Sequence, residues 1–67
     1  MEFELTEEYI ELNKLLKLMR LTNSGGESNI HISNGKVKVN DKIETQKRKK
    51  LRVGDRVKFN NNIILIK

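Results

Sequence analysis

The segment Ser24–Asn40, SGGESNIHISNGKVKVN, carries the clearest structural signals in the chain. Ser24 and Glu27 have the spacing of a capping box, in which the serine hydroxyl accepts from the Glu27 amide and the carboxylate accepts from the Ser24 amide. Gly35 follows after about two and a half turns and can adopt the left-handed conformation that ends a helix. Lys36–Asn40 then alternates polar with apolar residues. The segment therefore predicts a capped helix followed directly by a strand.

A first helix is predicted just upstream, with Asn13 as its N-cap. Its apolar stripe follows the i, i+3, i+4, i+7 pattern and consists of Leu12, Leu15, Leu16 and Met19, widened by Leu18 and Leu21. Three cations spaced three residues apart form a basic ridge on another side: Lys14, Lys17 and Arg20. The helix is expected to stop at Thr22–Asn23, so a tight turn joins two short helices.

The second helix contains the only histidine of the chain. Ser28 and Ile32 share one face, and the small Ser28 would let the two helix backbones approach each other. His31 has no Cys, Asp or second His at ligand spacing, so we interpret it as a packing or surface residue. Asn29 is predicted to point away from the packed face, where it is either a ligand for phosphate or base or a plain solvated side chain.

The remaining segments are predicted to be β-structure. Val37 and Val39 point inward, Asn40–Asp41 forms a turn, and Ile43–Thr45 begins a return towards the basic loop Gln46–Lys50. Further turns and strands are predicted at Gly54–Asp55, Arg56–Phe59, Asn60–Asn62 and Ile63–Ile66, and Met1–Ile10 is predicted to form one or two short edge strands. The expected fold is α+β, with two short helices packed on a small, mainly antiparallel sheet.

The length and composition favour one small domain. A chain of 67 residues buries a small core and has little room for a deep catalytic cleft. We divide residues 1–67 into an acidic β extension (1–11), a core motif (12–58) and a C-terminal strand (59–67). The chain has no Cys, no apolar run near the length of a membrane span, and an acidic N-terminus unlike a signal peptide. We expect a cytoplasmic monomer without membrane contact.

Positive charge is concentrated in the second half of the chain. The net charge is +5, yet residues 1–11 contain five acids and no base, whereas residues 36–58 contain ten Lys or Arg against three acids. The densest run is Lys47-Arg48-Lys49-Lys50, with Arg52 close behind. Arg binds phosphate bidentately and Lys acts as a point charge, so the pattern favours a polyanion. The acidic segment would repel phosphate and is placed away from the nucleic-acid face.

If the basic loop lies beside the second helix, the amides of Gly25 and Gly26 add hydrogen-bond donors and the positive end of a helix dipole. None of the three aromatic residues, Phe3, Tyr9 and Phe59, is interleaved with the loop, so backbone recognition is expected rather than base stacking. No nucleophile, metal or acid–base constellation is present, and SGG is too short for a phosphate-binding P-loop. No enzymatic activity, cofactor or small-molecule substrate is predicted.

The order and spacing of several short segments resemble the RNA-binding domain family named after small-subunit ribosomal protein four, the S-four-like domain. The matching segments are Leu12, Leu15–Lys17, Ser24–Glu27, Gly35–Asn40, Glu44–Thr45, Lys50–Leu51, Gly54–Asp55 and Val57. The pattern is especially similar to the stand-alone bacterial members. It departs from the family at Ser28, Asn29, Asp41 and Arg48, where Ala, a cation, Gly and Gly are common. The resemblance implies RNA binding through the second helix, its N-terminal turn and the basic loop.

Our leading hypothesis is a non-catalytic module that binds structured, ribosomal RNA through backbone phosphates. The predicted RNA-binding residues are Lys14, Lys17, Ser24, Gly25, Gly26, Asn29, Lys36, Lys38, Asn40, Lys47, Arg48, Lys49, Lys50 and Arg52. Two alternatives remain open: a protein-interaction domain that docks an acidic partner, and non-specific DNA binding, because phosphate contacts alone do not distinguish the polymers.

Overall fold

The computed structural model describes residues 1–67 and contains two helices and seven short strands. In chain order they are β1 (Glu2–Phe3), β2 (Ile10–Glu11), α1 (Leu12–Leu18), α2 (Gly25–Ser33), β3 (Val37–Val39), β4 (Lys42–Ile43), β5 (Lys50–Leu51), β6 (Arg56–Phe59) and β7 (Asn62–Ile66). The main sheet has the order β1-β7-β6-β3-β4, and β2 pairs with β5 in a second, two-stranded sheet. All pairings are antiparallel except β1 with β7. The predicted α+β, mainly antiparallel fold is confirmed.

Both ends of α2 lie where the sequence predicts them. The Glu27 amide donates to Ser24 Oγ at 3.1 Å, but the Glu27 carboxylate accepts from the Asn23 amide at 3.0 Å, one residue earlier than expected. Gly35 has φ 73°, and its amide and that of Lys36 donate to the carbonyls of Ile32 and His31, both at 3.1 Å. These two bonds form a Schellman motif, which ends the helix and releases the chain into β3.

The ends of α1 differ from the prediction. Asn13 is the second residue of the helix rather than its N-cap, and the N-cap residue, Glu11, makes no side-chain capping bond. The helix ends at Leu18 and not at Thr22–Asn23, because Arg20 adopts φ 60°. The amides of Arg20 and Leu21 donate to the carbonyls of Lys17 and Leu16, again a Schellman pattern. Arg20 occupies the left-handed position of this motif, where glycine is usual, and the residue type therefore did not indicate that α1 ends here.

The core lies between the helices and the inner face of the main sheet. It consists of Ile10, Leu12, Leu15, Leu16, Ile32, Val37, Val39, Leu51, Val57, Phe59, Ile64 and Ile66. Met19 and Leu21 are half-buried, as an apolar stripe requires, but Leu18 is 53% exposed and does not widen it.

Ser28 is fully buried, and its hydroxyl bonds to Thr22 Oγ1 and donates to the Ser24 carbonyl. A small polar residue therefore ties α2 to the turn before it. The histidine, His31, packs against the Phe59 ring at 5.0 Å between centroids.

Asparagine, aspartate and glycine form the predicted turns. Asn40 and Asp41 have φ 51° and 72°, the left-handed pair that a two-residue hairpin turn requires between β3 and β4. Asn60 at φ 55° turns β6 into β7, and Gly54 has φ 99°. Ile64 and Ile66 are buried, whereas Ile63 and Leu65 are exposed, so the apolar C-terminal run covers both faces of β7.

The N-terminal segment supplies two short strands, as predicted, but they belong to different sheets. β1 forms the edge of the main sheet beside β7, and β2 pairs with β5 in the register Ile10↔Leu51 and Glu11↔Lys50. Glu11, the last acid of the N-terminal region, therefore sits directly opposite Lys50 of the basic run.

Candidate nucleic-acid interface

The basic loop is hydrogen-bonded to the start of α1. The Leu12 amide donates to the Lys49 carbonyl at 2.9 Å, and the Asn13 amide donates to the Lys47 carbonyl at 3.1 Å. The first amides of a helix have no intrahelical acceptor, and α1 has no side-chain cap. Loop carbonyls therefore satisfy the amides that begin α1, and this fixes the cationic segment against the helical layer.

A side-chain bond continues this contact to α2. Asn13 Nδ2 donates to Asn29 Oδ1 at 3.0 Å. On α1, Lys17 lies one turn beyond Asn13, and on α2, Gly25 lies one turn before Asn29, so each pair shares a helix face. The loop, Asn13, Lys17, Asn29 and the first turn of α2 therefore lie on one side of the molecule. We refer to this surface, residues 13, 17, 25, 26, 29 and 46–50, as the helix–loop surface.

Of the two interpretations of Asn29 that the sequence left open, the freely solvated side chain is wrong. It is half-buried, and its carbonyl oxygen is occupied by Asn13. The residue consequently contributes to the position of the loop relative to α2. Its own amide group makes no side-chain hydrogen bond within the protein and retains two donors.

The first turn of α2 is bare, in the sense that its first two residues, Gly25 and Gly26, have no side chains. Ser24 Oγ is used by the Glu27 amide, so this side chain acts as a cap. A Cβ on Gly25 would meet no atom within 4 Å, and one on Gly26 would meet only Ser24 Oγ at 3.8 Å. Neither glycine has a positive φ. Packing and backbone conformation therefore do not require glycine here, whereas close approach of a ligand to the helix N-terminus would.

Tyr9 is a residue of this region that the sequence did not reveal. Lys50 Nζ lies 4.9 Å from the centre of its ring, and Arg52 Cζ lies 5.8 Å away. Both separations are in the cation–π range. No aromatic residue is interleaved with the loop in sequence, but the fold brings Tyr9 beside it. The contact results from β2–β5 pairing between two-residue strands that are distant in sequence, and such pairing has no local signal.

Three predicted residues lie elsewhere. Lys38 pairs with Lys58 across β3 and β6, on the sheet face opposite the buried Val37 and Val39. Lys36 lies two residues before Lys38, on the same side by strand alternation. Asn40 is occupied by the turn, since its Nδ2 donates to Asp55 Oδ1 at 3.0 Å and its Oδ1 accepts from the Arg56 amide at 2.9 Å. The structure does not bring these residues to the helix–loop surface.

Lys14 also has separate surroundings. It borders the largest depression of the molecule, which lies between the N-terminal segment and α1 and is rimmed by Glu7, Glu8 and Glu11. Lys14 therefore shares this depression with three carboxylates.

None of the predicted cations is neutralised by an ion pair. The three ion pairs join Glu27 to His31 at 3.6 Å, Glu2 to Lys67 at 3.0 Å, and Asp41 to Arg56. The structure contains no group of three or more His, Cys, Asp or Glu that could hold a metal ion. Neither helix has the length and apolar composition needed to cross a membrane. Unpaired cations around a bare helix N-terminus have the donor chemistry for phosphate.

Comparison with known proteins identifies the family. The model of the S4 domain matches residues 3–67. YbcJ, a candidate RNA-binding protein of Escherichia coli strain K12, is 43% identical over 51 residues, which cover 76% of this chain and 73% of YbcJ, and an uncharacterised Shigella flexneri protein also named YbcJ matches equally well. The solution structure of E. coli YbcJ, described as revealing an αL motif involved in RNA binding, superposes with a TM-score of 0.75 at 36% identity over 97% of this chain and 84% of that one. The chain therefore belongs to the S4 domain family.

Proposed function

We propose that this chain is a non-catalytic domain that binds structured RNA, ribosomal RNA in particular, through contacts of the helix–loop surface with backbone phosphates. The observation that carries the proposal is the hydrogen-bonded path from the Lys47 carbonyl through Asn13 to Asn29. This path holds the densest cation run beside the bare first turn of α2. Family membership and the RNA-binding description of the YbcJ structure support the same function.

Each part of the surface has a distinct role in the proposed contact. Lys47, Lys49 and Lys50 act as point charges, and the Arg48 guanidinium donates a bidentate pair of bonds to one phosphate. The amides of Gly25 and Gly26 lie in the first turn of α2, where they have no intrahelical acceptor, and donate to another phosphate with the helix dipole behind them. The Lys50 and Arg52 contacts with Tyr9 hold both cations beside the loop.

Sequence discrimination is expected to be weak, because these donors contact phosphate rather than base edges. Selectivity for a folded RNA then arises from the arrangement of its phosphates in space. With about four to six phosphate contacts, the logarithm of the association constant should fall against the logarithm of salt concentration with a slope of roughly −3 to −5. We further propose that the domain acts as a monomer in the cytoplasm.

Charge reversal at Arg48 tests this function. Arg48 is exposed and makes no ion pair, so Arg48→Glu should leave the fold unchanged. We expect a loss of affinity for a structured ribosomal RNA fragment of about tenfold and a salt slope smaller by roughly one. The matched control is Lys42→Glu, which makes the same charge change at an exposed, unpaired cation of β4. Equal affinities for the two variants would contradict the proposal.

Two further experiments distinguish RNA binding from non-specific DNA binding and from docking of an acidic protein. Competition between the RNA and duplex DNA at matched salt should favour RNA, whereas equal competition would identify a non-specific polyanion binder. Affinity capture after nuclease treatment should release bound partners. A protein partner that stays bound after nuclease treatment, and whose binding depends on Lys47–Lys50, would instead favour a domain that docks an acidic protein.

A further inference from the structure

A row of four exposed residues crosses the outer face of the main sheet. Lys38 pairs with Ile43 of β4 and with Lys58 of β6, and Lys58 pairs in turn with Ile63 of β7. The row is therefore Ile43–Lys38–Lys58–Ile63. Because Val37, Val39, Val57 and Phe59 point into the core, alternation places this row on the face away from both helices.

The two lysines form a cross-strand pair of like charge. Side chains directly opposite each other in an antiparallel pair are about 5 Å apart at Cβ, and like charges there destabilise the sheet. Neither lysine is in an ion pair, since the three ion pairs of the protein involve His31, Arg56 and Lys67. The flanking isoleucines, 61% and 45% exposed, offer no acceptor. An anion between the two ammonium groups would remove the repulsion.

The surroundings of the pair provide room for such an anion. A shallow depression on this face is lined by Gly35, Lys36, Lys38, Lys58 and Asn60, with no apolar side chain. The register that pairs Val37 with Phe59 also places Lys36 opposite Asn60. Three lysine side chains and one asparagine side chain therefore border a concave surface that has no carboxylate in its lining, and their donors suit the oxygens of one phosphate.

We propose that this depression is a second phosphate site, which binds a phosphodiester of an RNA segment other than the one on the helix–loop surface. The proposal rests on the function proposed above and extends it. The depression is on the face of the sheet away from both helices, whereas the helix–loop surface is built on those helices, in a body whose extents are 27 × 23 × 20 Å. The domain then lies between two backbone segments of one folded RNA, and this geometry is a physical basis for preferring structured over single-stranded RNA.

Lys38→Glu tests the site, because stability and affinity should move in opposite directions. The variant replaces a Lys–Lys pair with a Glu–Lys pair, so we expect a higher midpoint of thermal unfolding. It also places a negative charge in the depression, so we expect affinity for the structured RNA to fall about tenfold and the salt slope to decrease by roughly one.

Lys42→Glu is the matched control. Lys42 is also an exposed strand lysine without an ion pair, the net charge changes equally from +5 to +3, and its pairing with the inward-facing Val39 places it on the other side of the sheet. We expect at most about a twofold loss of affinity for this variant, from net charge alone.

The outcomes separate this proposal from the function on which it rests. If Arg48→Glu weakens RNA binding and Lys38→Glu weakens it no more than Lys42→Glu does, the second site is wrong and the helix–loop surface stands. If Arg48→Glu has no effect, the proposed function fails. In an NMR titration with the same RNA, the amides of Lys38 and Lys58 should shift together with those of the loop, and unshifted strand amides at saturation would also overturn the second site.

Discussion

At the scale of single residues, the most informative positions are the two glycines that begin α2. A glycine in a helix costs conformational entropy, and replacement by alanine is normally stabilising where space and φ permit it. Gly25 and Gly26 meet both conditions, yet the chain keeps glycine at both. Ser24 and Ser28, by contrast, are fully explained by bonds within the protein. The bare first turn is therefore the part of α2 whose composition the fold does not explain.

Gly26→Ala converts this observation into a prediction. The free energy of unfolding should rise by about 0.5 kcal/mol, because a Cβ fits and the unfolded chain loses freedom. Affinity for structured RNA should fall several-fold, since the methyl group obstructs approach of a phosphate to the helix N-terminus. Denaturant unfolding and a binding titration measure the two effects. A more stable variant with undiminished affinity would show that the glycines do not serve close approach.

At the scale of the elements, local sequence signals predicted the ends of α2 but not the ends of α1. The capping box and Gly35 predicted α2 and β3 because both motifs are recognisable from residue type. The predicted end of α1 was wrong because Arg20 adopts a positive φ, a conformation that is usual for glycine and that an arginine in the sequence does not indicate. The β2–β5 pair was not predictable either, since two-residue strands have no measurable alternation. That pair brings Tyr9 to Lys50, so the missed pairing and the missed site residue have one cause.

The contact between α1, α2 and the loop depends on Asn13. The sequence indicated a cap, but the structure uses this side chain to join two helices. Asn13→Ala leaves the half-buried Asn29 Oδ1 without its donor, and we expect the free energy of unfolding to fall by about 1 kcal/mol. RNA affinity should fall as the loop loses its fixed position beside α2. The control is Asn61→Ala, in an exposed turn and without a side-chain bond, which should change neither quantity. Equal stabilities for the two variants would mean that the Asn13–Asn29 bond does not hold the layer.

At the scale of the whole molecule, charge is arranged by surface rather than by sequence segment. Glu7, Glu8 and Glu11 rim a depression beside α1. The cation run Lys47–Lys50 belongs to the helix–loop surface, whereas Lys36, Lys38 and Lys58 line the outer face of the sheet. Sequence reasoning placed all predicted cations on one interface, because charge density along a chain does not indicate which face a strand residue occupies. The register of β3 with β6 provides that information for Lys38.

The central claim is that the basic loop and the first turn of α2 bind one RNA backbone together. Backbone amide shifts of the whole chain, followed during titration with a structured ribosomal RNA fragment, test this most directly. We predict that the amides of Gly25, Gly26 and residues 46–50 shift in parallel and fit a single dissociation constant, which rises steeply with salt. Loop amides that shift while those of Gly25 and Gly26 stay fixed at saturation would contradict the shared surface.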